Sequence, residues 1–401
     1  ILHKLGQSEQ ANKFLLILLK QRPKNLKLQM LQVEIEIALG HSSEAIFLLK
    51  EIITLHNKYT PAREMLVMLL KLSGQYEQAL VLINNLLQGE RLSTAYIKTK
   101  AELLLALGDR KQLLKQFNIL FGLWSNDANS LIELSNLQRL AKDFSGARKS
   151  INRALSLSPE SNTVLYADAK LSIYEQDKGM AEDKISNLQK KAEDNAQLIV
   201  LAGDMHLAQK NLKQAQVSYL EAFAQDQKHG MALVKAYNLA ILGYQKQEFE
   251  QALVGSLKAY PHNIYYRNLL ADFYLLNEQF EQASEHYLKI KDVPELPNKG
   301  DVLNNLANSI MHSDLAQAEQ YAKQASELKP KSAAIHDTYG WILAQNEEFD
   351  EALAVLRHAR SLNAQDPTIS YHLGHTLFHL DRKKEAYEQL KASLNSGKNF
   401  I

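Results

Sequence analysis

Three histidines stand close together late in the chain, in the segment Tyr371-His372-Leu373-Gly374-His375-Thr376-Leu377-Phe378-His379. On a helix His375 and His379 lie one turn apart on the same face, and imidazoles so spaced can chelate a divalent ion. No carboxylate completes the set nearby. The same pattern also serves packing between helices or the lining of a groove, and the balance favours that use, so no metal is expected. Other chemistry fails earlier. The chain contains no GxxxxGK[ST], GxGxxG, GxSxG or HExxH segment, the patterns that cradle phosphates, expose a nucleophile or chelate zinc from one helix. Cys is absent, which removes disulfides, thiolate catalysis and Cys-based zinc sites. No catalytic residue and no cofactor is expected, and the chain does not read as an enzyme.

The elements that position these residues come from composition and repetition. The 401 residues carry 46 Lys+Arg against 45 Asp+Glu, a balance that opposes a dedicated nucleic-acid binder. Hydrophobic residues make up 46% and charged residues 23%, which is ordinary for a folded soluble chain. No apolar run approaches the length of a membrane span. With 16 Gly and 8 Pro there are too few turn residues for an all-β protein. The chain begins at Ile1 rather than Met, which fits a fragment with any targeting signal upstream.

A repeat underlies the whole sequence. Ala11, Ala45, Ala79, Ala147, Ala181 and Ala215 fall at one constant step or at twice that step, with Leu113 in the skipped place. The series continues at Ala252, Ala283, Ala318, Ala352 and Ala386, with uneven steps on either side of Ala252. Pro23, Pro159 and Pro261 keep the same period. One clear copy runs His336-Asp337-Thr338-Tyr339-Gly340-Trp341-Ile342-Leu343, then Glu347-Glu348-Phe349-Asp350-Glu351-Ala352. A small residue in the first helix (Gly340, Gly374, Ala271, Ala307, Ala202) lets the second pack close. An aromatic at the turn (Tyr76, Phe144, Phe249, Phe280, Phe349) fills the gap between the helices, and Pro stops the second helix.

These features resemble the tetratricopeptide (TPR) family over nearly the whole chain, and the constant step matches the TPR unit length of about 34 residues. The resemblance implies an all-α fold, a right-handed α-α superhelix of about eleven to twelve helix-turn-helix repeats. One continuous solenoid over residues 1–401 is expected. Within it fall a half repeat at 1–25, an irregular repeat at 229–261 with Gly243 late in its first helix and a shortened second helix, and a Pro-containing connector at 291–300. The half repeat should leave Leu15, Leu18 and Leu19 exposed.

In such a stack the first helices line a concave groove, the default site for a partner. The first repeats contribute Glu64, Met68, Lys71, Lys98, Glu102, Asn136, Arg139, Tyr166 and Lys170. The later ones contribute Tyr237, Tyr244, Tyr265, Asn268, Asp272, Asn304, Asn308, Asp337, Trp341, Tyr371 and His375. The second set mixes amides with aromatics. Asn offers a donor and an acceptor to a peptide backbone, and Tyr and Trp give stiff contact area with a polar tip. That suits an extended polypeptide or a glycan, although each tyrosine could simply pack between repeats. Trp341 stands on a face the repeat needs for nothing else. TPR proteins that clamp chaperone tails use Lys, Asn and Arg at set positions. This chain has Asn304, Asn308 and Asp337 without the lysines, so that ligand is not expected.

The last repeats resemble a narrower group. The run from Ala316 to Gly374, through Asp337-Thr338-Tyr339-Gly340-Trp341-Ile342-Leu343 and Tyr371-His372-Leu373-Gly374, is similar to the C-terminal end of the bacterial TPR-repeat lipoproteins of exosortase/PEP-CTERM systems. That resemblance implies a longer chain with a lipid anchor upstream, at the periplasm or outer membrane, near an export or polysaccharide machine; without it the cytoplasm is the default. The expected function is a scaffold that binds a peptide or partner protein in its groove, with neither nucleic acid nor a membrane-spanning segment. The alternative is the substrate-recruiting arm of a larger enzyme such as a glycosyltransferase.

Overall fold

The computed structural model describes residues 8–89, 93–191, 195–228, 230–294, 296 and 298–394. Among them are 23 α-helices and no strand. By its contacts the chain divides into two compact units, Ile1–Lys191 and Ala192–Ile401. The first unit holds α1 (Ser8–Gln21), α2 (Leu26–Ala38), α3 (Ser42–Leu55), α4 (Thr60–Leu72), α5 (Tyr76–Gly89), α6 (Thr94–Leu107), α7 (Arg110–Leu123), α8 (Ala128–Leu140), α9 (Phe144–Leu157), α10 (Asn162–Tyr174) and α11 (Lys178–Lys191). The second holds α12 (Ala196–Ala208), α13 (Leu212–Gln225), α14 (Gly230–Ala240), α15 (Lys246–Ala259), α16 (Ile264–Leu276), α17 (Phe280–Leu288), α18 (Lys299–Ile310), α19 (Leu315–Leu328), α20 (Ala333–Gln345), α21 (Phe349–Leu362), α22 (Pro367–His379) and α23 (Lys383–Leu394). Within each unit every helix packs on its neighbours in sequence, the helix-turn-helix build expected from the repeat.

The turn inside each pair explains the period. Gly40, Gly74, Gly108, Lys142, Gln176 and Lys210 all have positive φ and follow one another at exactly one period. At each the chain closes the first helix in the same way. The Gly40 N–H donates to Ile37 O, and the His41 N–H donates to Glu36 O, a Schellman closure that satisfies the orphan carbonyls. The next residue then starts the second helix. The side chains of Asp109, Asp143 and Asn211 accept from the N–H groups of Gln112, Gly146 and Gln214. Glycine marks this place three times, after which Lys and Gln bear the strain of a left-handed backbone.

Two small positions hold the pairs together. Gly340 and Gly374 serve as expected. A Cβ on Gly340 would lie 2.6 Å from Leu356 Cγ, and one on Gly374 would lie 2.7 Å from Leu390 Cγ. In α12 the position belongs to Gly203, against the ring of Tyr219, and not to Ala202. The alanine series of the second helices is buried at Ala45, Ala79, Ala147, Ala181, Ala215, Ala283, Ala318, Ala352 and Ala386.

The irregular repeat departs from its expected form. Its second helix, α15, has the full 14 residues, whereas the first, α14, has 11. Gly243 lies beyond α14, in a lengthened turn where it and Gln245 both take positive φ. The slot one period after Ala215 and one period before Ala283 is held by Phe249, which is fully buried. Phe249 is therefore no turn aromatic, and the partly exposed Ala252 is no member of the series; the uneven steps came from counting it. In the connector, Val293 and Leu296 pack against the core and α18 already includes Lys299 and Gly300. Leu15 is buried, contrary to expectation, while Leu18 is exposed and Leu19 partly so. Leu5, Gly6 and Gln7 of the half repeat, His229 of the irregular one, and Glu295 and Pro297 of the connector lie outside the described residues.

The short α14 leaves a polar gap. Six positions after each turn, the second helix reaches the next repeat. Arg148 there bonds Asp168 and Glu175, Glu250 accepts from Tyr274 at 2.7 Å, and Glu319 accepts from Asn346. Gln216 holds the same place before α14. It is completely buried, and both ends of its amide lack a partner. A buried amide left unpaired costs about 1–3 kcal/mol. Gln216→Leu should therefore raise the stability of the second unit by about that much in urea titrations, and a loss of stability would show that the amide is paired in solution.

Candidate functional site

Ten and six positions before each left-handed turn, the first helices present one face. In the first unit this face closes on itself. Lys71 pairs with Glu102, and Lys98 pairs with Glu133 and lies 3.8 Å from Glu102. The Tyr96 hydroxyl donates to Glu64 at 2.5 Å, and the Arg139 guanidinium lies 4.2 Å above the Tyr174 ring. The hydrogen bond to Glu133, before any other cause, pushes the Lys98 amine above its ordinary range. These contacts tie α4 to α6, α6 to α8 and α8 to α10. Half-exposed ion pairs stabilise little, but they occupy the groups that a charged partner would need. Met68 remains exposed.

The second unit carries three groups. In the first, Asp204 accepts from the Tyr219 hydroxyl at 2.7 Å and from Lys235 at 2.6 Å. In the second, Asp272 accepts from the Tyr287 hydroxyl at 2.5 Å, from Asn305 Nδ2 at 3.1 Å and from Asn268 Nδ2 at 3.0 Å. Burial holds the Asp272 carboxyl above its ordinary range, and the three donors offset that only in part. Tyr237 stands near it, its hydroxyl pushed up to about 12 by burial and then by the Asp272 charge. Asn304 Nδ2 donates to Asn305 Oδ1 at 3.2 Å, while Asn304 Oδ1 is buried without a partner. The third group joins α20 to α22. The indole of Trp341 stacks on the His372 imidazole with centroids 4.2 Å apart and planes at 16°. His375 meets the same indole edge-on at 5.1 Å, and Tyr371 lies at 6.1 Å. His372 Nδ1 is 2.9 Å from Asp337 Oδ1. His379 stands 4.6 Å from His375 and stacks on Phe349.

The structure thus brings together Tyr237, Asn268, Asp272 and Asn304 around one centre, and Asp337, Trp341, Tyr371 and His375 around another. It does not gather the remaining three. Tyr244 follows α14 in the turn and packs against the core. Tyr265 is 48% exposed beside Tyr266. Asn308 is partly buried one turn beyond Asn304. Contrary to expectation, the face of Trp341 has a packing use, because the next repeat covers part of it: Trp341 packs on His372 and His375 and is itself only partly exposed. The three histidines are engaged in stacking and in the bond to Asp337. Among the described residues no group of three or more His, Asp or Glu is arranged to hold a metal ion.

Sequence reasoning missed Tyr219, Tyr287, Asp204, Lys235, Asn305 and His372 as partners in these groups. A signal existed for the tyrosines and for Asp204. Tyr219 and Tyr287 stand two periods apart, and so do Asp204 and Asp272. Among the described residues no helix is long and apolar enough to cross a membrane.

No protein-family model and no curated protein matches the chain. Solved structures similar to it include the APC/C hetero-tetramer Cut9-Hcn1, at 15% identity and a TM-score of 0.42 over 100% of this chain and 92% of that one. Yeast Tom70 matches at 15% and 0.39, over 97% and 87%. Naa15/Naa10 bound to HypK-THB matches at 16% and 0.35, over 98% of this chain and 66% of that one, so this chain spans just under two thirds of that relative. At such low identity and TM-score these likenesses say nothing of what this chain binds.

Proposed function

We propose that the chain is a protein-binding scaffold that takes an extended segment of its partner along the first-helix face of the second unit, across α16, α18, α20 and α22. The observation that carries this reading is the Trp341 group beside the amides. The face of the first unit is largely tied up in ion pairs between neighbouring first helices, whereas this one presents Tyr371 at 39% exposed and a partly exposed indole beside the partly exposed amides of Asn268, Asn304 and Asn308. Aromatic side chains of this kind anchor interfaces, and the amides of Asn268, Asn304 and Asn308 suit main-chain N–H and C=O groups. An ion-paired first unit and an amide-rich second favour a partner read by shape and backbone over one read by charge.

A peptide library displayed for selection on the whole chain tests this. Trp341→Ala together with Asn304→Ala should weaken selected ligands at least about tenfold, the loss of one interface anchor, in titration calorimetry. Unchanged affinity would move the site to another surface. The likeness of residues 316–374 to envelope repeat lipoproteins supports a place of work in the periplasm or at the outer membrane. Capture of the partner from envelope fractions of the native cells is expected, and capture from cytosol alone would overturn that setting.

A further inference from the structure

We propose that His372, His375 and His379, with Trp341 and Asp337, form a proton-operated latch between α20 and α22, closed at neutral pH and opened by acid. The latch is a continuous run of rings in contact, two of the contacts stacked, one tilted and one edge-on. Phe349 of α21 lies on His379 at 4.7 Å with planes at 6°, His379 is 4.6 Å from His375, His375 meets Trp341 at 5.1 Å, and Trp341 covers His372 at 4.2 Å. One carboxylate serves the three imidazoles. Asp337, buried on α20, is bonded to His372, so a proton on His375 finds no counter-ion.

The other packed elements bring none either. The charges that act on His375 are those of His379 and His372 on its own helix. From α21 comes the neutral ring of Phe349. Arg357 of α21 is paired with Glu385 of α23, and Arg382 is paired with the same carboxylate. His375 Nδ1 is itself buried and unpaired, so the closed form gives this ring no polar contact to lose.

The sign of the pH effect follows from linkage. Burial holds the closed His375 imidazole below the usual histidine range, and His379 and His372 push it the same way. Turned out to water, the ring would titrate near about 6.5. Above that value both forms are neutral and the stack is undisturbed. As pH falls below it, the open form takes up the proton first, and the balance shifts toward opening until the closed ring titrates as well. Opening removes the edge contact on Trp341. Its consequence for binding rests on the partner-site reading above: a Trp341 and Tyr371 pair held in place at neutral pH is pre-organised, and acid should release the partner.

Trp341 reports its own state. The chain has two tryptophans, and in the full chain carrying Trp124→Phe, acrylamide quenching of emission reads Trp341 alone. Its accessibility is expected to rise about twofold or more between about pH 7.5 and about pH 5.5. His375→Gln should abolish the rise and His379→Gln, at an exposed residue, should shrink it, with thermal melts at neutral pH checking that each variant is folded. If His375→Gln does not fold, His379→Gln carries the comparison. No rise in the parent, or an undiminished rise in the folded variants, overturns the latch. A library-selected peptide should lose affinity over the same window. Opening without loss of affinity would leave the latch standing and remove Trp341 from the partner site, whereas a peptide that needs Trp341 but binds equally at both pH values would do the reverse.

Discussion

Replacing Phe249 with Ala should remove about 3–5 kcal/mol from the stability of the second unit, the cost of emptying a buried aromatic site. The repeat pattern argues for the opposite sign. Phe249 holds the place that alanine holds in ten other second helices, buried in nine of them, and a consensus substitution there would ordinarily be stabilising. The packing decides otherwise. Phe249 is completely buried, with its ring 5.1 Å from Phe273 and 6.0 Å from Tyr237. Its helix pairs with α14, the shortest first helix of the unit, which stops at Ala240 before a turn that runs to Gln245. The space that a longer α14 and a small residue fill elsewhere is filled here by the ring. Urea titration followed by circular dichroism measures the loss, and Phe249→Leu should cost less because it leaves a smaller cavity. A gain on Phe249→Ala would mean that α14 and α15 close together once the ring is gone.

That position also shows where the sequence was legible. The constant period exposed the number of pairs, the buried alanines and the close approach at Gly340 and Gly374, because each depends on one residue type at one spacing. It missed Gly203 by one position because Ala202 beside it is also small, and it misplaced Phe249 because the same slot can be held by a residue of another size when a neighbouring helix changes length. Such trades preserve volume across two helices and leave no mark on either alone. The turn itself was legible only where glycine marks it. At Lys142, Gln176 and Lys210 the backbone adopts the same conformation, since the hydrogen bonds that close one helix and begin the next enforce it at a cost of about 1–2 kcal/mol.

For the candidate site, residues on one helix face were found from spacing, and the bonds between faces were not. Asp337 and Trp341 fall on one face of α20 by period. Their partner His372 lies one position beyond a full period from Asp337, and was read as part of a histidine cluster instead of as the partner of a carboxylate. The face of α20 looked unoccupied because the following repeat covers it only once α22 is in place.

Gly203 and Tyr219 approach closely across the α12 and α13 pair, and they yield a thermodynamic cycle with a change of sign. A Cβ built on Gly203 would lie 2.5 Å from Tyr219 Cε1 and 2.7 Å from Cδ1. The ring cannot give way. It is fully buried, and its hydroxyl is held 2.7 Å from Asp204, a carboxylate also bonded to Lys235. Gly203→Ala should therefore cost about 1–3 kcal/mol through overpacking, even though alanine is the better helix former by about 1 kcal/mol. Gly255, mid-helix in α15 with nothing near its would-be Cβ, supplies the control, and Gly255→Ala should gain about 1 kcal/mol. Tyr219→Ala should cost about 3–5 kcal/mol for the cavity, with Tyr219→Phe costing about 1 kcal/mol for the hydroxyl's bond. In the Tyr219→Ala background the obstacle to a methyl group at 203 is gone, and Gly203→Ala should turn from a loss into a gain, a coupling of about 1–3 kcal/mol or more between the two sites. Additive effects in denaturant titrations would mean that the helices α12 and α13 shift apart to admit the methyl, and that the close approach at Gly203 is a consequence of the glycine and not a requirement of the tyrosine.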